Sequence, residues 1–137
     1  MKKILVVALT AILFFSIPFV TSTQAATLVS LSAKKSDNAA KEIEFTGNGK
    51  YMKFTCTYSG SMSKDNIDAL CEVRRNASAS NSVQRFYVGG SKGNKSESTD
   101  VWLDKGVKYS IYVYSIYVNV ETHAPSNASV TGVIKDR

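Results

Sequence analysis

The stretch VKYSIYVYSIYVNV, from Val107 to Val120, is the most strand-like part of the chain. It contains no proline or glycine and only one charged residue, Lys108. Isoleucine, valine and tyrosine fill most of its other positions, and these side chains suit the pleated, half-buried surface of a β-sheet. The stretch therefore predicts a long strand with which the shorter strands of the chain pair.

The alternation of apolar and polar residues changes phase inside this stretch. Apolar residues occupy the odd positions from Val107 to Val113 and the even positions from Ile116 to Val120. Because side chains alternate between the two faces of a strand, such a shift turns every later side chain over. The pattern favours a β-bulge near Tyr114–Ser115, or a bend there from one sheet to another. The alternative is a central strand covered on both faces, in which the phase has little effect.

Seven shorter segments also have strand-like patterns, at residues 28–33, 42–45, 50–58, 70–74, 84–88, 101–103 and 128–134. Gly47-Asn48-Gly49 supplies residues that accept a positive φ, so it predicts a tight hairpin between the second and third strands. The glycine- and serine-rich stretch 89–98 predicts a mobile loop. Since no convincing amphipathic helix is present, the pattern predicts an all-β fold. We expect a single antiparallel β-sandwich, jelly-roll-like, with about eight strands.

Residues 1–25 have the organisation of a secretory signal peptide. After a charged start, an apolar run extends from Ile4 to Val20, and small residues at Thr23 and Ala25 predict cleavage after Ala25 or after Ala26. An uncleaved anchor is the alternative, because the run is close to the lower limit for spanning a membrane. Cleavage leaves residues 26–137 as one domain, secreted and extracellular, or periplasmic if the source has an outer membrane. The short Lys-Lys start looks bacterial.

The charge of the chain is basic but scattered. The formal net charge is +6 over 137 residues. Loss of Lys2 and Lys3 with the signal peptide would leave a net charge of +4. Only Lys34-Lys35 and Arg74-Arg75 are adjacent cations in the remaining chain. This is not the clustered basic patch of a nucleic-acid-binding protein. We therefore expect no nucleic-acid partner, and no membrane span after signal cleavage.

The two cysteines, Cys56 and Cys71, both lie in the exported part of the chain. In an oxidising compartment an even pair predicts a disulfide bond. A loop of this length would stabilise the fold by about 3 kcal/mol. Two free buried thiols are the alternative.

Catalytic patterns are absent from the sequence. The only histidine, His123, lies in a predicted turn, and no Gly-x-Ser-x-Gly motif, metal-binding spacing or phosphate-binding glycine loop accompanies it. We expect His123 to be an ordinary surface residue. The sequence therefore predicts that the protein is not an enzyme and carries no cofactor.

Two acidic residues flank the segment 101–103. Asp100 and Asp104, with Asp65 or Asp68, are candidate oxygen ligands for a calcium ion in a secreted β domain. We favour the simpler interpretation that they are solvated loop acids at strand ends. No metal site is assigned to them.

Aromatic residues give the one positive indication of function. Trp102, Tyr112, Tyr114, Tyr87 and Tyr51 are each out of phase with their apolar neighbours in a predicted strand. If several share one outer face, they form a platform that binds sugar rings or a protein partner. The alternative is a second core layer, in which both faces of a middle strand are covered.

The segment from Val101 to Val113, VWLDKGVKYSIYV, contains a strand, a turn glycine and a second strand. It resembles the same arrangement in small secreted bacterial β-sandwich modules, among them carbohydrate-binding modules and accessory domains of exported peptidases. The resemblance covers about a tenth of the chain and implies a sandwich fold. It assigns no functional residue.

These observations lead to three functional hypotheses. The first is a secreted non-enzymatic protein that binds an extracellular partner, either a cell-wall glycan or a protein. The second is a self-assembling matrix or fibre protein, a homo-oligomer joined through its strand edges, because low-charge runs such as IYVYSIYV pair readily when exposed. The third is a small cationic secreted toxin or antimicrobial. An enzyme ranks last.

Overall fold

The protein is built from two packed β-sheets, in a computed structural model that describes residues 26–37, 39–60, 69–90, 94–115 and 128–137. The predicted signal peptide, the segment that contains Asp65 and Asp68, and His123 lie outside the described residues. No α-helix occurs in the described ranges, and hence none that is long and apolar enough to cross a membrane. The prediction of an all-β fold is confirmed.

Eight strands and two short 3₁₀ turns make up the fold. The strands are β1 (Thr27–Lys34), β2 (Lys41–Thr46), β3 (Lys50–Ser59), β4 (Ala69–Arg75), β5 (Ser82–Val88), β6 (Ser96–Leu103), β7 (Lys108–Tyr114) and β8 (Ser129–Lys135). The 3₁₀ turns, Lys35–Asp37 and Ala79–Asn81, follow β1 and precede β5. Each predicted strand segment has a counterpart, but β6 begins inside the stretch 89–98 that was predicted to be a loop.

The strand order is that of a jelly roll. The first sheet has the order β1-β8-β3-β6 and the second has β2-β7-β4-β5, with all pairs antiparallel. The pairs β1–β8, β2–β7, β3–β6 and β4–β5 are those of one long two-stranded ribbon folded over on itself. Contacts of β3 with β8 and of β4 with β7 then complete the two sheets. Only β4 and β5 are consecutive strands within one sheet.

The Gly47-Asn48-Gly49 turn does not close a hairpin, so that prediction was wrong. β2 and β3 lie in different sheets, and the turn carries the chain from one to the other. The N–H groups of Gly47 and Gly49 donate to the carbonyl oxygens of Val107 and Leu103, each at 2.8 Å. A turn sequence specifies a local change of direction, whereas the pairing of the flanking strands depends on distant parts of the chain. Here the turn runs beside the loop that joins β6 to β7.

The long predicted strand is represented by β7, an interior strand between β2 and β4. Tyr109, Ile111 and Val113 are buried, as the alternation predicted for this half of the stretch. β7 ends at Tyr114, and Ser115 lies in a bend. Residues 116–120, which carry the second phase of the pattern, lie outside the described residues, so the cause of the phase break stays a prediction.

The inward faces of the two sheets form one hydrophobic core. Phe54 of β3 stacks on Phe86 of β5 with ring centroids 5.3 Å apart, which joins the two sheets. Phe45 and Tyr109 stack at 5.8 Å on neighbouring strands of the second sheet. Burial of such rings removes large apolar areas from water and is the main stabilising contribution to a sandwich of this kind.

A disulfide bond between Cys56 and Cys71 crosses the core, as predicted. The two cysteines lie on β3 and β4, in different sheets, and neither is exposed to solvent. Their Cα atoms are 5.8 Å apart, much closer than the ~10 Å that separates packed sheets on average. Gly132 of β8, the register partner of Cys56, leaves the space for this close approach. A Cβ at Gly132 would lie 2.9 Å from a methyl group of Ile111.

Replacement of both cysteines by alanine is expected to lower the free energy of unfolding by about 3 kcal/mol, because the unfolded chain regains the entropy of the closed loop. Urea unfolding followed by far-UV circular dichroism measures the difference. The double variant should show no further change when reductant is added. A loss below about 1 kcal/mol would contradict an important stabilising role for the bond.

Gly132→Ala is expected to destabilise the fold by about 2 kcal/mol, because the added methyl group overpacks the contact between β8 and β7. Gly106→Ala is the comparison for a glycine outside the core, since a Cβ there meets no atom within 4 Å and only its φ of +79° is strained. Thermal unfolding of both variants separates the two effects. Unchanged stability of Gly132→Ala would show that the sheets can move apart freely at this point.

Candidate binding surface

Two of the five predicted aromatic residues form an exposed pair on the outer face of the first sheet. Tyr51 of β3 and Trp102 of β6 are register partners. Their rings meet edge to face with centroids 5.2 Å apart, and they are 55% and 47% exposed. Val101 and Leu103 on either side of Trp102 point into the core, so the alternation of β6 sends the indole outward.

The indole ring of Trp102 is held by Asp104. The indole Nε1–H donates to Asp104 Oδ1 at 2.8 Å, and Arg75 Nη1 donates to Asp104 Oδ2 at 3.0 Å. The backbone N–H of Asp104 donates to the Tyr109 hydroxyl at 3.0 Å. Since Arg75 and Tyr109 belong to the second sheet, the orientation of the ring depends on both sheets. A ring held in this way loses little conformational entropy when a ligand stacks on it.

The other three predicted aromatics, Tyr87, Tyr112 and Tyr114, lie on the outer face of the second sheet and are half-buried. Leu70 lies between Tyr114 and Tyr87 in one row across β7, β4 and β5. The guanidinium carbon of Arg74 lies 3.8 Å from the centroid of the Tyr112 ring, a cation–π contact. The five aromatics are therefore divided between opposite faces, with two exposed and three packed.

An ion-pair network, which we call the Glu72 cluster, occupies the same outer face of the second sheet. It consists of Glu72, Arg74, Arg85, Glu42 and Ser110. Glu72 is fully buried, and its carboxylate accepts hydrogen bonds from Arg74 Nε at 2.9 Å and from Arg85 Nη2 at 2.7 Å. Ser110, also buried, donates to Glu42 Oε1 at 2.6 Å. The two carboxylates and the two guanidinium groups of the cluster therefore balance each other's charges.

The environment of Glu72 lowers the pKa of its carboxyl group. Burial alone would raise this pKa because it removes water from the carboxylate, but hydrogen bonds from Ser82, Arg85 and Arg74 outweigh that effect. The bond to Glu72 in turn raises the pKa of Arg85. Glu72 is therefore ionised at neutral pH.

The candidate calcium ligands within the described ranges are engaged elsewhere. Asp100 forms an ion pair with Arg137 at 3.0 Å, and Asp104 binds Trp102 and Arg75. The described residues contain no group of three or more His, Cys, Asp or Glu side chains arranged to hold a metal ion.

A hydroxyl-rich surface, which was not predicted from the sequence, lies beside the Tyr51–Trp102 pair. The four strands of the first sheet place two or three hydroxyl side chains each on its outer face: Ser30, Ser32, Thr55, Thr57, Ser59, Ser96, Ser98, Ser129 and Thr131. The signal in the sequence is a hydroxyl residue at positions i and i+2, repeated in four separate segments. We call the whole outer face of the first sheet, with its aromatic pair, the hydroxyl face.

Comparison of the chain with protein-family models, with curated proteins and with solved structures finds no match in any of the three.

Glu72→Gln is expected to lower the free energy of unfolding at pH 7 by about 2 kcal/mol, because two charge-assisted hydrogen bonds are weakened. Since the pKa of Glu72 is lower in the folded protein than its ordinary value of 4.5, its contribution is complete above that pH and is lost as the pH falls below it. Urea unfolding at pH 7 and pH 3 should show the variant and the wild type converging at acid pH.

Glu44→Gln is the matched control, since Glu44 is an exposed carboxylate on the same face. Its stability should follow that of the wild type at both pH values. An equal pH dependence for wild type and Glu72→Gln would show that the Glu72 cluster contributes nothing specific.

Proposed function

We propose that this protein is a secreted, non-enzymatic binding protein that recognises an extracellular glycan through the hydroxyl face. The single observation that carries the proposal is the Tyr51–Trp102 pair, two large rings exposed side by side and held in place through Asp104. Exposed aromatic pairs on an otherwise polar surface mark binding sites more often than scattered single residues do.

The surroundings of the pair favour a glycan over a protein as the partner. A stable protein interface buries about 800 Å² on each side around an apolar centre. The residues next to Tyr51 and Trp102 on the hydroxyl face are Lys53 and Asp100, followed by serines and threonines. A sugar suits this surface, because its apolar C–H face stacks on a ring while its hydroxyls bond to side-chain hydroxyls.

The disulfide bond between Cys56 and Cys71 agrees with export to an oxidising compartment. The buried disulfide is of the kind that persists in secreted proteins. The predicted signal peptide at residues 1–25 supplies the route. A non-enzymatic role is consistent with the carboxylates of Glu72, Asp100 and Asp104, which are each engaged by an arginine.

The self-assembly hypothesis stays a prediction. It rests on exposure of the run IYVYSIYV at a strand edge. The part of this run that belongs to β7 is paired on both sides by β2 and β4, and residues 116–118 lie outside the described residues. The hypothesis of a cationic toxin stays a prediction, and no described feature favours it over glycan binding.

The proposal is tested by retention of the purified protein on insoluble cell-wall polysaccharides, followed by titration against the soluble form of any that bind. Trp102→Ala is expected to weaken binding by at least about 30-fold, the size of effect expected for an aromatic residue at the centre of a site. Trp102→Phe keeps a ring but removes the bond to Asp104, so it should bind with intermediate affinity.

Val83→Ala is the matched control, because Val83 is an apolar residue 40% exposed on β5 of the second sheet. It should bind as the wild type does. Absence of wild-type retention on every polysaccharide, or equal retention of a folded Trp102→Ala variant, would refute glycan binding at this surface.

A further inference from the structure

We infer that the glycan is anionic, and that it lies along β3 and β6 with its negative charges near Lys53 and Lys135. The inference rests on the proposed function, since it names the chemistry of the ligand that stacks on Tyr51 and Trp102. Both carboxylated and phosphorylated polysaccharides have the required chemistry: sugar rings, free hydroxyls and a regularly repeated negative charge.

The hydroxyl face carries an excess of positive charge. Strand alternation places Lys34, Lys53, Lys135 and Asp100 on this face, and Arg137 joins them through its ion pair with Asp100. With Asp104, which holds the Trp102 indole, and its partner Arg75 at the edge of the face, the described residues there comprise five cations and two carboxylates. A surface of this composition attracts polyanions from solution and repels other cationic surfaces.

The outer face of the second sheet is different, because its charges balance. Three carboxylates share it with three cations: Glu42, Glu44 and Glu72 with Arg74, Arg85 and Lys108. Most of these groups belong to the Glu72 cluster. The positive excess is therefore specific to the face that carries the exposed aromatic pair, and does not simply reflect the basic composition of the chain.

Lys53 and Lys135 are the cations best placed to meet a ligand. They are register partners on β3 and β8, and Lys53 lies two residues after Tyr51 on the same face, about 7 Å along the strand. Asp100, which faces Lys53 across β3 and β6, is engaged by Arg137 at 3.0 Å. Neither lysine forms an ion pair within the described part of the chain. The charges of Lys53 and Lys135 are therefore available to a ligand, two residues along the strand from the aromatic pair.

The hydroxyl rows extend the surface beyond the two lysines. Ser32, Thr131, Thr57 and Ser96 form a row across all four strands. Within it the Ser32 and Thr131 hydroxyls bond at 2.7 Å, and those of Thr57 and Ser96 at 3.2 Å. From Tyr51 to Thr57 the face measures about 20 Å along β3, which is long enough for several sugar units of a linear chain.

This order of side chains distinguishes a polysaccharide from a single-stranded nucleic acid. Surfaces that bind single strands present aromatic rings to successive bases along a basic groove. Here the rings of Tyr51 and Trp102 lie together at one end of the β3–β6 pair. Farther along these two strands, hydroxyl groups occupy the positions at which a nucleic-acid-binding surface would need further rings. Such hydroxyls match sugar hydroxyls as donors and acceptors.

The test compares polysaccharides that share a backbone and differ in charge: polygalacturonate with its methyl ester, and phosphomannan with mannan. Affinities of the purified protein are measured at low and high salt, with an oligothymidylate as an additional ligand. We expect the anionic member of at least one pair to bind at least about 10-fold more tightly, with the preference lost at high salt. Which pair responds identifies carboxylate or phosphate as the charged group.

The double variant Lys53→Gln/Lys135→Gln is expected to bind the anionic member about 30-fold more weakly and the neutral member unchanged, since each lost cation accounts for several-fold in affinity. Lys108→Gln, an exposed lysine on the opposite face, is the matched control and should bind as the wild type does. Thermal unfolding confirms that both variants fold.

Equal affinity for the charged and neutral members, with Trp102→Ala still impaired, would overturn the anionic assignment and leave glycan binding intact. Equal or tighter binding of the oligothymidylate would also overturn it, in favour of a polynucleotide. Failure of the wild type to bind any glycan would refute the proposed function itself.

Discussion

The disulfide between Cys56 and Cys71 is the constraint on which the rest of the sandwich depends. It joins interior strands of the two sheets at a Cα separation that ordinary core side chains do not allow. Gly132 provides the room for it, and the rings of Phe54 and Phe86 fill the core beside it. A domain of this size has a limited core, so a covalent link between its layers contributes a large part of the stability.

The two outer faces of the sandwich differ in composition. The face of the second sheet covers Glu72 with arginine and tyrosine side chains and satisfies its own charges. The hydroxyl face leaves Trp102, Tyr51 and Lys53 open to solvent. The internally satisfied face has little left to offer a ligand, whereas the open face retains stacking, hydrogen-bonding and charged groups.

Local pattern in the sequence was sufficient to predict the strands, the sandwich and the disulfide, because alternation and cysteine count are properties of short segments. Strand pairing was not predictable in this way. Gly47-Asn48-Gly49 has the sequence of a hairpin turn, yet it crosses between sheets. Ser96 and Ser98 belong to β6, although they lack apolar neighbours, because Thr57 and Thr55 of β3 pair with them. Tyr112 and Trp102 have the same phase in their strands, and only their cross-strand neighbours decide that one is packed and the other exposed.

Trp102 is the only tryptophan in the chain, and Asp104 connects its indole to Arg75 of the second sheet. Its intrinsic fluorescence therefore comes from a single, defined environment at the edge of the hydroxyl face. A sugar that stacks on the ring would displace water and shift the emission, and a change in the packing of the two sheets would alter it through Asp104. Trp102 is thus an intrinsic optical probe that reports on the proposed binding surface and on the packing of the two sheets without a label.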